Sequence, residues 1–446
     1  MPLLIRTTLI QALAIGLFVP VGATAHSKSA AKSPPAPAVQ QVVKPPIAQA
    51  WVDLATHHSD LPGFAGALMG GGGAGLGSLF GGGGDKGRGN VFGGTQGLGM
   101  TGSGQWLDVA VHTRANPSLS QAQQAIPPGL QLGATLNLVA PVPDKPIPVP
   151  ERDDEPREPH YERPKGKLLL YWGCSESVRE GQPRVLDFAN LRLEDIQRIM
   201  VARGHTPKGA RSQPGYPAWP NKTDDRKVPA GARIAGENGF SGQGVPEGFR
   251  FDLRPDVDFM PPLDLQRHAL PSGATQLNWP GLEQSRAYFI SAMGAKPGTD
   301  GSDSAEMVLW SSSELPDTGF ALHDYQTPAG IERWVKEKVL LPPSTLQCAI
   351  PAGIFGTAGE SGAGMLRMMA YGPEQAVAHP PRPTDPKVPW TPDWSVRVRT
   401  KSSWMGLLGM ENTGSERGAG RPKPAAEPEE KKKPNVGDLL KGIFGR

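Results

Sequence analysis

Residue types able to do chemistry are scattered along this chain of 446 residues rather than gathered. Gly359-Glu360-Ser361-Gly362-Ala363 has the outline of a nucleophile elbow. Such an elbow needs a strand, a sharp turn and a helix to lift its serine, with an acid and a histidine further on. Here alanine stands in place of the last glycine and residues 365–371 read as a strand, so a glycine-rich hairpin loop is the expectation. His57, His58 and Asp60 are metal-ligand types, but no third ligand cluster follows at a known spacing. Asp252, Asp256, Asp258 and Asp264 could supply the opposed carboxylates of a glycosidase. They could equally supply oxygen ligands for calcium, yet the alternation and central glycine of a calcium loop are missing. The Gly-x-Gly patterns of residues 66–104 lack the preceding strand and following helix of a phosphate-cradling loop. No catalytic, metal-ligating or cofactor-binding residue is assigned, and no cofactor is expected.

The elements that would position any site must come from a chain poor in core-forming residues. Its 57 glycines and 48 prolines approach the level that signals low-complexity sequence, so a folded middle with unfolded arms is expected. A net charge of +3, spread over mixed-sign stretches, gives no clustered basic footprint and argues against a nucleic-acid partner. Residues 1–25 read as an export signal: Arg6, an apolar run, then Ala23-Thr24-Ala25 as a small-x-small cleavage site. No later run is long and apolar enough to span a bilayer, so a periplasmic or extracellular protein without a transmembrane span is expected. In an oxidising compartment Cys174 and Cys348 have reason to pair.

Cys174 follows the clearest strand pattern, Leu168-Leu169-Leu170-Tyr171-Trp172, whose hairpin partner is Arg184-Val185-Leu186-Asp187-Phe188. Two heptads, WVDLATH at 51–57 and WLDVAVH at 106–112, share the pattern Trp, apolar, Asp, apolar, Ala, any, His and read as an internal repeat. Leu193, Ile196, Ile199 and Met200 fall at helical spacing, and Thr327-Pro328 caps a second helix with Ile331, Trp334 and Val335 on one face. Short β runs recur at 274–279, 286–291, 305–310, 344–350, 365–371 and 395–401. The last reads as an edge strand with Arg397, Arg399 and Lys401 pointing outward, and 365–371 as the partner of the strand bearing Cys348. Trp279, Trp310 and Trp334 are expected in the core, Trp390 and Trp394 at the surface.

Leu277-Asn278-Trp279-Pro280 followed by Ala287-Tyr288-Phe289-Ile290 resembles the central strands of immunoglobulin-like or fibronectin-type domains. The resemblance implies fold only: a mostly β protein with an antiparallel β-sandwich body, without the paired cysteines of antibody domains. The expected organisation is a signal peptide at 1–25, a disordered arm at 26–104, a short β unit at 105–140 and a Pro-rich charged linker at 141–164. A β unit follows at 165–262 with a surface insertion at 204–248, then a β-sandwich unit at 263–402 and a disordered linker at 403–435. Residues 436–446, VGDLLKGIFGR, can place Leu439, Leu440, Ile443 and Phe444 on one apolar helical stripe, a peptide suited to docking on a partner groove or membrane surface. The expected function is that of an exported, non-catalytic binding, scaffold or assembly component of the cell envelope, partnered by protein or an envelope polymer. The alternative is a secreted or periplasmic hydrolase.

Overall fold

The computed structural model describes residues 41–60, 90–96, 102–142, 166–190, 192–199, 201, 203–298, 305–356 and 364–408. Residues 1–25, where an export signal is expected, most of the glycine-rich sequence at 66–104, Ser361 and the C-terminal peptide with Leu439, Leu440, Ile443 and Phe444 lie outside the described residues. The protein is mostly β. Its strands are β1 (Ala48–Ser59), β2 (Gly104–Thr113), β3 (Gln121–Ala125), β4 (Thr135–Val139), β5 (Lys167–Trp172), β6 (Arg184–Asp187), β7 (Ala218–Trp219) and β8 (Gly236–Gly242). Then come β9 (Arg250–Leu253), β10 (Gln266–Ala269), β11 (Thr275–Asn278), β12 (Ala287–Pro297), β13 (Ala305–Ser311), β14 (Gln347–Ile350), β15 (Gly364–His379) and β16 (Trp394–Leu407). Among the described residues two short α-helices, α1 (Leu193–Ile199) and α2 (Pro328–Lys336), fall where the apolar spacing and the Thr-Pro cap predict. Thr327 Oγ1 accepts from Gly330 N at 3.0 Å, satisfying an orphan donor of the first turn of α2.

Thirteen strands form one mixed sheet in the order β6-β5-β13-β12-β15-β16-β1-β2-β7-β4-β3-β8-β9, and β10-β11-β14 form a second. β1 on β16 and β13 on β5 are parallel; the other pairings are antiparallel. This is not the immunoglobulin-like or fibronectin-like order. β11 and β12, which carry the resembling residues, lie in different sheets. β12 and β15 run for 11 and 16 residues, long enough to carry pairing straight through the molecule instead of ending at the margin of a sandwich.

Three further expectations change. Residues 48–59 are not part of an arm: β1 is an inner strand, because Ala48, Ala50, Val52 and Leu54 put a continuous apolar face into the core. The segment 204–248 supplies β7 and all of β8 to the large sheet. β16 is no edge strand but lies between β15 and β1, and β14 pairs with β11, not β15.

The large sheet builds two apolar interiors. In the first, Val52, Val109, Val396 and Val398 meet Phe240, Phe249 and Phe251 from β8 and β9 or beside them, so the far end of the sheet returns over β16. Phe249 stacks on Trp394 with ring centroids 4.5 Å apart, which buries the tryptophan expected outside. In the second, Leu277, Trp279, Cys348 and Ile350 pack on Leu169, Ile290, Val308 and Leu366. β15 and β16 run under both interiors, and their pairing shifts at a bulge between Tyr371 and Glu374. The strand pair is thus the common floor of the molecule.

Candidate functional site

Successive strand residues point to opposite faces, so the strands that bury Val52, Leu54, Val396 and Val398 on one side must present Asp53, His57, Arg399 and Lys401 on the other. Register does the rest. Asp53 of β1 lies beside Asp108 of β2 and Arg399 of β16, Ala55 beside Lys401, and His57 beside Ser403. The two heptad repeats therefore pair with each other and bring their aspartates together.

Arg399 and Asp53 form a two-pronged pair, Nε to Oδ1 at 2.6 Å and Nη2 to Oδ2 at 2.9 Å, with side chains only 2% and 1% exposed. The third guanidinium nitrogen, Nη1, donates to Pro207 O at 2.8 Å, and Ala210 N donates to Asp53 Oδ2 at 3.0 Å. Both partners belong to a strap, residues 203–210, that crosses over the ion pair. Gly209 is required there: a Cβ would stand 1.8 Å from Arg399 Nη2 and 2.3 Å from Asp53 Oδ2. At its other end the strap is tied by Arg203 N to Asp317 Oδ2 and His205 N to Gln326 Oε1, each at 3.0 Å.

Tyr325 seals the pair laterally. Its ring lies 4.0 Å from Arg399 Cζ and 4.4 Å from Lys401 Nζ, an arrangement in which the electron-rich face stabilises both cations. Its hydroxyl donates to Leu54 O at 2.8 Å, and Lys401 Nζ donates to Asp324 Oδ1 at 2.7 Å. His57 Nε2 lies 3.0 Å from Gly94 O, which can only accept, so Nε2 carries the proton and Nδ1 accepts from Ser403 Oγ at 2.6 Å. Asp108 accepts from Gly93 N, Thr95 N and Thr95 Oγ1. On β12, two strands from β16 in the sheet, Ser291 Oγ meets His323 Nε2 at 2.6 Å.

Burial dominates the titration of these groups. It pulls the His57 imidazole down to about 3, with Lys401 adding to the effect, and His323 down to about 3, where Arg367 and Lys401 add to it. Burial pushes the Asp108 carboxyl up to about 7 against three hydrogen bonds that favour its charged form. A general base has to hold a proton near the working pH. Imidazoles this acidic, beside lysine and arginine, do not take one from a serine at neutrality. Both Ser–His pairs are buried.

The predicted cysteine pair is bonded: Cys174 and Cys348 form a disulfide with Cα atoms 5.0 Å apart. Gly173 N still pairs with Ser311 O in the large sheet, while Ser175 N donates to Ala349 O of β14 in the small one. The disulfide therefore sits where the chain crosses from one sheet to the other. It joins the opening hairpin, in which Leu168 faces Leu186, to a strand far along the chain.

The other candidates do not converge. His58 faces away from His57, with Nδ1 2.5 Å from Leu263 O, and sits 3.4 Å from Asp60. Asp258 is buried, accepting from Ile234 N and Phe259 N, whereas Asp256 pairs with Arg254 at the surface. Among the described residues no group of three or more metal-ligand types could hold an ion. Sequence reasoning missed the Asp53–Arg399 seam. Its available signal was an aspartate embedded among apolar residues twice, in WVDLATH and WLDVAVH, since a buried carboxylate demands a partner. Compared with known protein families, with curated proteins and with solved structures, the chain matches none.

Proposed function

We propose that this protein is an exported, non-catalytic component of the cell envelope that works by binding, scaffolding or assembly. The observation that carries the reading is the state of the buried polar seam. Its ionised groups are committed to one another beneath the strap, and its imidazoles, held at about 3, are unsuited to proton transfer. The Cys174–Cys348 disulfide agrees with an oxidising compartment. No helix among the described residues is long and apolar enough to cross a membrane. β6 and β9 end the large sheet, and Val185 and Leu193 are exposed at its β6 end, which favours a protein partner meeting a sheet margin. Residues 436–446 are an apolar docking element of this component.

Chemical crosslinking of the full chain in its native envelope tests the proposal. Reproducible capture of one protein partner is the expected outcome, and a chain recovered free in the soluble fraction with no partner overturns it. The Ser291–His323 contact is the observation favouring the second reading, a hydrolase. A fluorophosphonate probe on the native protein separates the two: no label on Ser291 or Ser403 is expected, and stoichiometric label on either establishes the hydrolase.

A further inference from the structure

The face of the large sheet that carries Asp53 and Arg399 also carries a cation with no acid to meet. Arg211 follows the strap directly, and its Cζ lies over two rings, 5.7 Å from that of Trp51 and 5.4 Å from that of Tyr216. Tyr216 in turn stacks on His112 with centroids 4.3 Å apart. The Arg211 Nε is buried with no hydrogen-bond partner among the described residues, and no carboxylate there pairs with the side chain. Aromatic faces hold a guanidinium without using its N–H donors, so the Nη edge is left for an oxyanion. Arg397 of β16 stands in register with Trp51. Burial pushes the Glu374 carboxyl up while Arg397 and Arg399 pull it back, so Arg397 already has an acid to meet. The charge left over is that of Arg211, which one carboxylate matches better than a phosphate of nearly two charges.

The same face continues into a cleft. Trp51 pairs with Ala110 of β2, Ala110 with Ala218 of β7, Ala218 with Val139 of β4, and Val139 with Gln121 of β3. Residues paired across strands share a face. Past Ala218 lies a cleft of about 380 Å³ lined by the exposed Gln121, Gln123, Asn137, Thr223 and Ser241. Amides and hydroxyls each offer donors and acceptors, as the hydroxyls of a sugar do. A cleft for apolar side chains would be lined by hydrophobic groups instead. The turn that carries Tyr216 packs against the chain leading into β3, where a Cβ on Gly215 would stand 2.1 Å from Pro117 O. From Ala110 to Gln121 is three strand spacings, about 14 Å, within the span of one short oligosaccharide. We propose that this face binds an acidic glycan, with Arg211 taking a carboxylate and the amide-lined cleft taking the hydroxyls of adjoining sugars. The site goes beyond the protein contact proposed at the β6 end and does not depend on it.

Two measurements on the full chain test this, both with tetragalacturonate as the probe. In calorimetric titration at low salt, Arg211→Met, which keeps an apolar stem on Trp51 and Tyr216, should weaken binding about tenfold or more. Gln123→Ala with Asn137→Ala should weaken it about threefold. Arg333→Met, which removes an exposed arginine of α2, should change it by less than about twofold. The second measurement needs no substitution. In the unaltered chain the probe should slow phenylglyoxal modification of Arg211, read by peptide mass spectrometry, about fivefold while leaving Arg333 unaffected. No binding at about 1 mM probe, an unchanged affinity in Arg211→Met, or an unprotected Arg211 overturns the inference. Tetraglutamate or dextran sulfate binding as tightly as tetragalacturonate overturns it too, and assigns Arg211 to an acidic peptide or to sulfate and phosphate groups. Capture of a protein partner by crosslinking is scored separately, so the proposed function stands or falls without this site.

Discussion

The two faces of the β15–β16 floor are held by opposite physics. Beneath the small sheet, Leu366, Met368 and Trp404 meet Leu277, Ile290 and Cys348 in an interior that is apolar throughout and fastened by the disulfide. On the other face Arg399, Lys401 and Ser403 meet Asp53, Asp324 and His57 in an interior that is charged and equally dry. Apolar contacts are non-directional and tolerate small shifts. The ionic seam does not, because a one-residue slip of β1 against β16 would turn Asp53 toward the valine face and leave Arg399 buried without its carboxylate. The apolar side supplies cohesion, and the polar side dictates which of several possible registers is the folded one.

Acid should separate the two faces most strongly. His57 and His323 have folded values of about 3, below the ordinary 6.5, so the unfolded chain binds more protons between those limits. Their contribution is complete above pH 6.5 and is lost as pH falls toward 3, up to about 4–5 kcal/mol for each at 1.36 kcal/mol per pH unit. Asp108 works the other way. Its folded value of about 7 exceeds the ordinary 3.8, so its contribution is complete below pH 3.8 and is lost as pH rises to 7. The net expectation is a stability maximum between pH 6.5 and 7 and a loss of roughly 3 kcal/mol by pH 4, since Asp108 offsets about half of what the two histidines lose. Urea midpoints measured from pH 8 to pH 4 check it, and a flat profile contradicts the buried neutral histidines. Asp108→Asn should steepen the acid loss.

The ion pair is of the same order. Arg399→Met leaves Asp53 buried with its guanidinium partner removed and should cost about 3–5 kcal/mol. The double change Asp53→Leu with Arg399→Met should recover much of that loss, because two apolar groups replace both charges. A double variant as unstable as the single one would show that the strap, not the pair, carries the energy. Removing the disulfide by Cys174→Ala with Cys348→Ala should cost about 3 kcal/mol, chiefly by freeing the unfolded chain. Its loss should add to that of Arg399→Met without coupling, since the two lie on opposite faces. Thiol titration of the unfolded, unreduced protein should find no free thiol.

How much of this was legible follows the same division. The β5–β6 hairpin, the α2 cap and the cysteine pair are written locally or by elimination: a short polar turn between apolar runs, Thr-Pro before a helical stripe, two cysteines and no others. The seam is written across 346 positions between Asp53 and Arg399, and no local pattern reports such a contact. Arg397, Arg399 and Lys401 alternate with apolar residues, as on a solvated edge, because lysine and arginine are rarely buried unless paired. The partner that buries them lies in a stretch flanked by proline- and glycine-rich sequence, whose composition reads as an arm. The long strands hid the topology too, since short-run spacing carries no information about continuous strands of 14 and 16 residues.

Two glycines give the finest test of the comparison. Gly181, in the turn of the hairpin on the disulfide side, has φ +79 and open space where a Cβ would go. Gly181→Ala should therefore cost only the left-handed backbone penalty, about 1–2 kcal/mol. Gly209 in the strap lies outside the left-handed region, but its Cβ would collide with Arg399 Nη2 and Asp53 Oδ2. Gly209→Ala should cost about 2–3 kcal/mol, because the strap must lift and let water reach the pair. Coupling, more than size, distinguishes them. In the Asp53→Leu with Arg399→Met background the Gly209→Ala penalty should change by more than about 1 kcal/mol, while that of Gly181→Ala stays within about 0.5 kcal/mol of its value in the unaltered chain. Equal behaviour of the two glycines would mean that the strap rests on the ion pair without being shaped by it, and the seam would lose its claim to set the register.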